Sequence, residues 1–479
     1  MTDHQLNTLI LCADQLSPLA PGYAGHGWAE TPNLDRLANE GMVFTDAVCA
    51  SPICVPARAS LATGRHVHEM GTWDNAHAYS GTEAPSWGKA LTEVGHNVTT
   101  IGKLHYRDSS DATGFPDQII PMHAEGGTGD TFSLLRDDIQ PRPELRDMVA
   151  GAHAGESSYT RYDEAVTTET MKWLRDPNRR REPWTAFVSH VSPHHPLVAP
   201  PEFAQMYPPE SVPLPVDWQV PDQPHHPVLD SFRGFYGFDG EFTEAEVRRA
   251  RATYFALVTY LDHQIGRVLD VLEETGLAST TRVIFTSDHG DNVGDHGLWW
   301  KNTMYAGSVG VPLIIAGPGV EPGVCSTPVS HIDLVPTIHR LGGATPPADL
   351  PGTDVLEIAA APDRPGRVVF SEYHATGSST GMFMVADSQY RYVEYVGETP
   401  QLFDRQSDPQ ERHDLASDPN HVETVARYAG ILRDICDPEA VDARAKSDQR
   451  ATVDRYGGPE AVRSAGYRTH VPTPEEQNR

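Results

Sequence analysis

The chain has 479 residues, 39% of them hydrophobic, and 37 Lys and Arg stand against 66 Asp and Glu for a formal net charge of −29. That length exceeds what one hydrophobic core usually fills, so one large and one smaller domain are expected. The charge argues against nucleic acid or an anionic membrane as partner, and it requires any anion-binding site to be positive locally. Five cysteines, Cys12, Cys49, Cys54, Cys325 and Cys436, form no paired metal or redox spacing. That points to a reducing compartment without a disulfide framework. Met1-Thr2-Asp3-His4-Gln5 enters an apolar run with no basic flank. No run reaches membrane-spanning length, so the expected location is cytoplasmic.

Thr8-Leu9-Ile10-Leu11-Cys12-Ala13 is a continuous apolar run, as a strand buried on both faces would be, and it ends at Asp14 and Gln15. Residues 31–41 read as a capped helix with Leu34, Leu37 and Ala38 inward and Gly41 at its end. A strand over 42–44 leads to Cys54, which lies between Pro52 and Pro56 at the start of a helix-compatible run closed by Gly64. Cys54 is thus placed at a helix N-terminus, where free N–H groups and the dipole favour an anion, with Arg58 one turn on. A buried structural cysteine and a nucleophile precursor both fit a Cys so placed. Residues 73–79 are a polar loop with aromatics, and a helix opens at Trp87.

A strand over 97–101 runs into Gly102-Lys103-Leu104-His105, where strand period puts Lys103 and His105 on one face. Residues 106–155, rich in Gly, Pro and Asp, read as a long loop at a pocket entrance. A helix over 162–173 and a buried strand over 184–190 precede Pro193-His194-His195-Pro196, and 200–227 reads as an extended loop. Residues 245–275 carry the longest helical pattern, with Val247, Ala250, Tyr254, Leu257, Leu261, Ile265 and Val268 at helical spacing. The strand at 281–286 ends in Ser287-Asp288-His289-Gly290-Asp291, so a second carboxylate stands at a strand end, where open α/β sheets place ligands. Further on come a strand over 311–316, a helix opening at His331, short strands at 368–370, 382–385, 390–396 and 401–404, and helices within 422–435 and 438–454. Alternation of strands with helices indicates the α/β class.

Cys54-Val55-Pro56-Ala57-Arg58 followed by Thr63-Gly64-Arg65 resembles the signature of the type I, formylglycine-dependent sulfatases of the alkaline phosphatase superfamily. The departure is Ala57, where Ser is common. The phrase from Asp288 to Lys301 resembles the same family, most nearly its choline-sulfatase-like and phosphonate-monoesterase-like branch, and the likeness covers nearly the whole chain. It implies an alkaline-phosphatase-like sandwich: a large mixed, mainly parallel sheet between helices and a small C-terminal antiparallel sheet-plus-helix domain. The expected division is 1–345 catalytic, 346–366 linker, 367–454 C-terminal subdomain and 455–479 a polar tail, disordered or packed on a neighbouring subunit.

The resemblance also implies the site. Asp14, Gln15, Asp288, His289 and residue 54 would hold one divalent metal, calcium first, with manganese or magnesium as alternatives. Gln15 stands where the family often has a second Asp, and His289 where many members have Asn. Cys54 would be oxidised to Cα-formylglycine by the formylglycine-generating enzyme. Arg58, Lys103 and Lys301 would offset charge on the transferring group, His194 would protonate the leaving oxygen, and His105 would take a proton from the second hydroxyl of the aldehyde hydrate. Asn75, Trp73 and Trp299 would contact the substrate.

The expected reaction is hydrolysis of a small organic sulfate monoester to an alcohol and sulfate. Choline sulfate is the leading substrate, since a quaternary ammonium wants an aromatic cage and Trp73, Tyr79, Tyr106, Trp299 and Trp300 flank the motifs. The alternatives are a phosphonate monoester or phosphodiester hydrolase using the same aldehyde, and a non-catalytic binding protein on the same fold. Neither nucleic acid nor membrane is expected as a partner, while a homo-oligomer is open.

Overall fold

The computed structural model describes residues 6–361, 364, 366–466 and 471–477. Its large sheet is built around β1 (Asn7–Asp14), whose eight residues are all buried, as a strand covered on both faces must be. The other strands are β2 (Gly41–Phe44), β3 (Asn97–Lys103), β4 (Asp117–Met122), β5 (Trp184–Pro193), β6 (Thr281–Ser287), β7 (Leu313–Ala316) and β8 (Gly323–Cys325). Their order across the sheet is β8-β2-β7-β6-β1-β5-β3-β4. The pairs β1–β5, β1–β6, β3–β5, β3–β4 and β2–β8 are parallel, and β7 alone runs against its neighbours β2 and β6.

Helices α1 (Pro32–Glu40), α2 (Cys54–Thr63), α3 (Trp87–Glu93), α4 (Ser158–Arg175), α5 (Pro227–Tyr236), α6 (Glu244–Glu274) and α7 (His331–Leu341) surround the sheet. They pack in two groups: α6 on α1, α4 and β5, and α7 on α2 and α3. The apolar stripe predicted over 245–275 is buried along α6, which starts with a reciprocal Thr243–Glu246 cap. One polar residue of that stripe works for the site: Tyr254 Oη donates to Gln15 O at 2.8 Å and accepts from Ser17 N at 2.9 Å, pinning the chain just past β1.

A second sheet, β9 (Val369–Tyr373), β10 (Met382–Ala386), β11 (Tyr390–Tyr395) and β12 (Gln401–Asp404), is an antiparallel meander. Helix α8 (Val422–Ile435) covers it through Tyr428 and Leu432, which join Phe370, Phe383, Val385, Tyr392 and Leu402 in a separate apolar cluster. Helix α9 (Pro438–Arg455) returns toward the large domain, where Trp73 Nε1 donates to Asp448 Oδ2 at 2.9 Å.

Three expectations need correction. Residues 106–155 are not one loop: they contain β4 and a helix, Glu144–Ala150, whose Leu145 and Val149 are buried. The proposed linker holds a short helix, Val355–Ala360, because Val355 and Ile358, one turn apart, are buried and Asp354 caps the turn. The described part of the tail packs on its own chain: Val462 joins Leu134 and Val453, and Val471 exchanges hydrogen bonds with Tyr159 Oη. Residues 467–470 and 478–479 lie outside the described residues. Among the described residues no helix is long and apolar enough to cross a membrane, and all five cysteines are free thiols.

Candidate active site

Cys54 is the first residue of α2, as the prolines and Gly64 predicted, and Gly64 takes the left-handed conformation (φ 71°) that ends the helix. All ten residues of α2 are buried. Asn75 stands at the helix start, its Oδ1 accepting from Val55 N at 3.1 Å. The Cys54 sulfur lies 3.1 Å from Lys301 Nζ, 3.2 Å from His289 Nε2 and 3.8 Å from Asp14 Oδ1. Burial, with Asp14, pushes this thiol up, but Lys301, Lys103 and His289 outweigh both and hold it below its ordinary value. Burial instead pushes Cys12 up to about 12, so these two buried thiols differ by the cations around them.

Asp14 ends β1 and Asp288 directly follows the adjacent parallel strand β6, so the sheet itself sets the two carboxylates side by side. The chain leaves β1 through Gln15 in the left-handed region (φ 68°), which aims Gln15 N at Asp288 Oδ1, 3.1 Å away. Arg58 bridges the pair: Nε donates to Asp288 Oδ2 at 2.8 Å and Nη2 to Asp14 Oδ2 at 3.0 Å. Its Nη1 donates to Lys103 O at 2.7 Å and to Ser189 Oγ at 3.0 Å. Lys103 Nζ also reaches Asp14 Oδ2, at 2.5 Å. Burial pushes the Asp14 carboxyl up, but the cations Lys103, Arg58 and Lys301 together hold it well below the carboxylate range.

Asp14, Cys54, Asp288 and His289 each offer a ligand atom, and these atoms lie within 4.8 Å of one another. A carbonyl, Gly290 O, lies 3.0 Å from His289 Nδ1, so that nitrogen carries the proton and Nε2 turns a lone pair toward the group. Mixed carboxylate and imidazole donors, oriented by outer hydrogen bonds, fit a divalent cation. Gln15 takes a different place from a plain ligand: its Oε1 accepts from Lys301 Nζ at 2.8 Å and its Nε2 donates to Asp291 Oδ2 at 2.6 Å.

Lys301 also donates to His194 Nε2 at 2.8 Å, while His194 Nδ1 faces His195 O at 2.7 Å. His194 is therefore a neutral acceptor at Nε2; burial, His195 and Lys301 keep it well below the ordinary imidazole value. Burial, Lys103 and Arg58 do the same to His105. Lys103 and His105 both border the cavity, but not by the pleat: β3 stops at Lys103 and His105 turns through a left-handed φ of 59°. Around the two carboxylates stand three cations, Arg58, Lys103 and Lys301, so the site is positive within an acidic chain, as an anion site there requires.

A cavity of about 100 Å³ opens over the cluster; Cys54, Asn75, Lys103, His105, His194 and Lys301 border it. Trp73 and Trp299 do not. Trp73 is fully buried against His374 and bound to Asp448, and Trp299 packs on Phe242. Tyr79 and Tyr106 stack edge-to-face on each other, away from the lining. The aromatics on the cavity are Trp300, Phe235 and Tyr236. Of the adjacent pair Trp299 and Trp300 the sequence reading chose Trp299 and the structure puts Trp300 on the cavity, while Phe235 and Tyr236 lie in a stretch that carried no sequence reading. Asp291, in a quoted motif, and Ser189, at a strand end, were also missed.

The sulfatase family model matches residues 6–344, and the model for the C-terminal region of N-sulphoglucosamine sulphohydrolase matches residues 294–436. The choline-sulfatase of Rhizobium meliloti (strain 1021) is 30% identical over 486 residues, spanning 98% of this chain and 93% of its own. The multifunctional alkaline phosphatase superfamily protein PehA of Trinickia caryophylli is 31% identical, spanning 88% of this chain and 93% of its own. Among solved structures, the phosphonate monoester hydrolase of Silicibacter pomeroyi superposes with a TM-score of 0.73 at 25% identity, covering 90% of this chain and 95% of that one. With that match, and with the Asp14–Cys54–Asp288–His289 cluster at the strand ends, the chain belongs to the sulfatase family, the sulfuric ester hydrolases of alkaline-phosphatase-like fold.

Proposed function

We propose that this protein hydrolyses an organic sulfate monoester, with water, to an alcohol and inorganic sulfate. The observation that carries the reading is the Cys54 position: a helix N-terminus, 3.1 Å from Lys301, within a buried Asp14–Asp288–His289 donor set. Asp14, Asp288, His289 and residue 54 would hold a divalent cation, calcium first and manganese next, given an imidazole among the oxygens. That ion would supply Lewis-acid polarisation at residue 54. Formylglycine made from Cys54 by a formylglycine-generating enzyme would supply an aldehyde hydrate with two hydroxyls, one to accept the sulfuryl group and one to expel it.

The chain's own groups do the rest. Arg58 holds both carboxylates in place, with Nε on Asp288 and Nη2 on Asp14 along one edge of the guanidinium. Lys103 and Lys301 set positive charge on the cavity wall, where it offsets charge gathering on the transferring group. The Lys301–His194 pair shares a proton that resides on Nζ, and it serves as the source for the leaving alkoxide. His105, held neutral, accepts the proton lost when sulfate departs. The free thiols support a reducing, cytoplasmic setting.

A phosphonate or phosphate ester hydrolase using the same residues is the second reading, supported by the likeness to PehA and to the Silicibacter pomeroyi enzyme. A non-catalytic binding role is disfavoured by the completeness of the cluster. The test is a panel of 4-nitrophenyl sulfate, phenyl phosphonate and bis-phosphodiester on protein whose residue 54 conversion is measured by mass spectrometry. Sulfate should lead in kcat/KM; a phosphonate or diester that leads by orders of magnitude would reverse the assignment, and no turnover by fully converted, metal-loaded protein would leave only binding.

A further inference from the structure

The part of the cavity away from Cys54 has a chemistry of its own. Arg142, from the segment before the Glu144–Ala150 helix, is 4% exposed yet borders the cavity. Its Nη1 donates to Asp130 Oδ2 at 2.7 Å, and Asp130 borders the same cavity. Its backbone N donates to Phe235 O at 2.6 Å, which ties it to the end of α5. Its guanidinium lies over two aromatic faces, 4.9 Å from the centre of Phe132 and 5.3 Å from that of Phe235. Tyr236, next in the chain, accepts from Asn302 Nδ2, and both residues line the wall.

A quaternary ammonium needs open aromatic faces in a dry pocket. Here the Phe235 face already carries a guanidinium from the protein itself. That guanidinium is neutralised by Asp130, so what meets a ligand there is an ion pair laid over the ring and not the open aromatic face that a trimethylammonium group needs. What the wall offers instead is a fixed alternation of donors and acceptors, Arg142 beside Asp130 with the amides of Asn75 and Asn302, next to the flat faces of Tyr236 and Trp300. Hydroxyl groups both donate and accept, and the C–H face of a ring packs on an aromatic, so this combination suits a polyhydroxylated ring.

We propose that the Arg142–Asp130 pair is the specificity element for the alcohol half of the substrate, and that this alcohol is a sugar or similar polyol rather than choline. The inference rests on the sulfuric-ester reading above and narrows its substrate class. Both residues are specificity residues rather than members of the reacting group, so their effect should fall on KM and scale with the hydroxyls on the substrate.

The experiment uses full-length, formylglycine-converted protein with three probes: a set of monosaccharide 6-sulfates, choline sulfate, and 4-nitrophenyl sulfate. In the wild type at least one sugar sulfate should exceed choline sulfate in kcat/KM by about tenfold or more. Arg142→Met should lower kcat/KM for that sugar sulfate by about 10- to 100-fold, mainly through KM, because Asp130 and the substrate hydroxyls lose their partner. Its loss on 4-nitrophenyl sulfate, which has no hydroxyls to read, should be about tenfold smaller. Arg142→Lys, which keeps charge but not the planar fork, should recover part of the loss. The wild-type comparison needs no variant to fold. Choline sulfate leading all sugar sulfates overturns the inference alone, as does a loss in Arg142→Met that is equal on every probe. No turnover of any sulfate ester overturns the hydrolase reading together with the inference.

Discussion

Two clusters of carboxylate and histidine, one around Cys54 and one around Glu372, differ in how far their polar atoms are already paired with one another. At the domain junction Glu372, on β9, accepts from His68 N at 2.9 Å and faces His68 Nδ1 at 2.8 Å through one oxygen, and His374 Nε2 at 2.9 Å through the other. The His374 ring is closed in by Trp73 at 5.2 Å and Phe383 at 5.1 Å. Each oxygen is used, and His68, whose value Glu372 raises against the opposing effect of burial, supplies the compensating charge, so the group locks β9 to the segment after α2. Around Cys54 the count differs. Asp14 Oδ2 is taken by Arg58 and Lys103, yet Asp14 Oδ1 and His289 Nε2 converge on the sulfur, and Lys301 meets Gln15, His194 and Cys54 at once. Burial and perturbed titration mark both clusters; ligand atoms left converging beside a cavity mark only the second.

The largest expected effect is at Cys54. Cys54→Ala should reduce turnover by about 10⁴-fold or more, as loss of a nucleophile does. Peptide mass spectrometry of the active wild type should show the aldehyde or its hydrate at residue 54. Full activity in the variant or in unconverted protein would remove the basis of the mechanism. Next, Asp288→Ala should empty the metal site: bound metal per chain, by elemental analysis, should fall toward zero. Activity should drop by about 10³-fold, for several kcal/mol of lost charge stabilisation. Equal metal content in variant and wild type would contradict the cluster's role.

Glu372→Gln sharpens the contrast from the other side. Breaking a buried charge pair costs about 3–5 kcal/mol of stability, to be read by denaturant unfolding, while kcat of the folded enzyme stays within about threefold. Burial pushes the Glu372 carboxyl up, but His68 and His374 hold it well below its ordinary 4.5. A carboxyl depressed in the folded state contributes stability that is present above the unfolded value and lost as protons bind below it. The stability gap between wild type and Glu372→Gln should therefore be greatest between about pH 5 and the raised His68 value, close in more acid solution as Glu372 takes a proton, and shrink in more alkaline solution as His68 loses one. A gap that widened toward acid would contradict the sign. The smallest effect is at Asn75: Asn75→Ala removes one acceptor from α2 and should cost about 1 kcal/mol, with conversion at residue 54 retained.

Much of the scaffold was readable because it rests on local patterns. The buried run of β1, the stripe of α6, the proline-bracketed start of α2 and its Gly64 end follow from residues within a turn or two of one another. The two strand-end carboxylates were readable for the same reason, since a parallel sheet puts Asp14 and Asp288 side by side once both strands are recognised. The wall of the cavity was not readable in this way. Several aromatics flanked the motifs, and which of them turned inward depended on distant partners: Trp73 was taken by Asp448, 375 residues away, and Trp300 by none so remote. Arg142 lay in a stretch that read as loop, and nothing near it in sequence announces Phe235 or Asp130 as its companions on a cavity.

The sequence by itself thus determined the fold class, the position of Cys54 at a helix start and the cationic and carboxylate members of the cluster, because caps, apolar periods and short motifs act over a few residues. Only the tertiary structure decided that Gln15 turns its amide onto Lys301 and Asp291, that His194 accepts rather than donates at Nε2, and that Arg142, paired with Asp130, borders the cavity while Trp73 and Trp299 do not. Those outcomes depend on which side chains from separate strands and helices meet, and packing between elements hundreds of residues apart settles that.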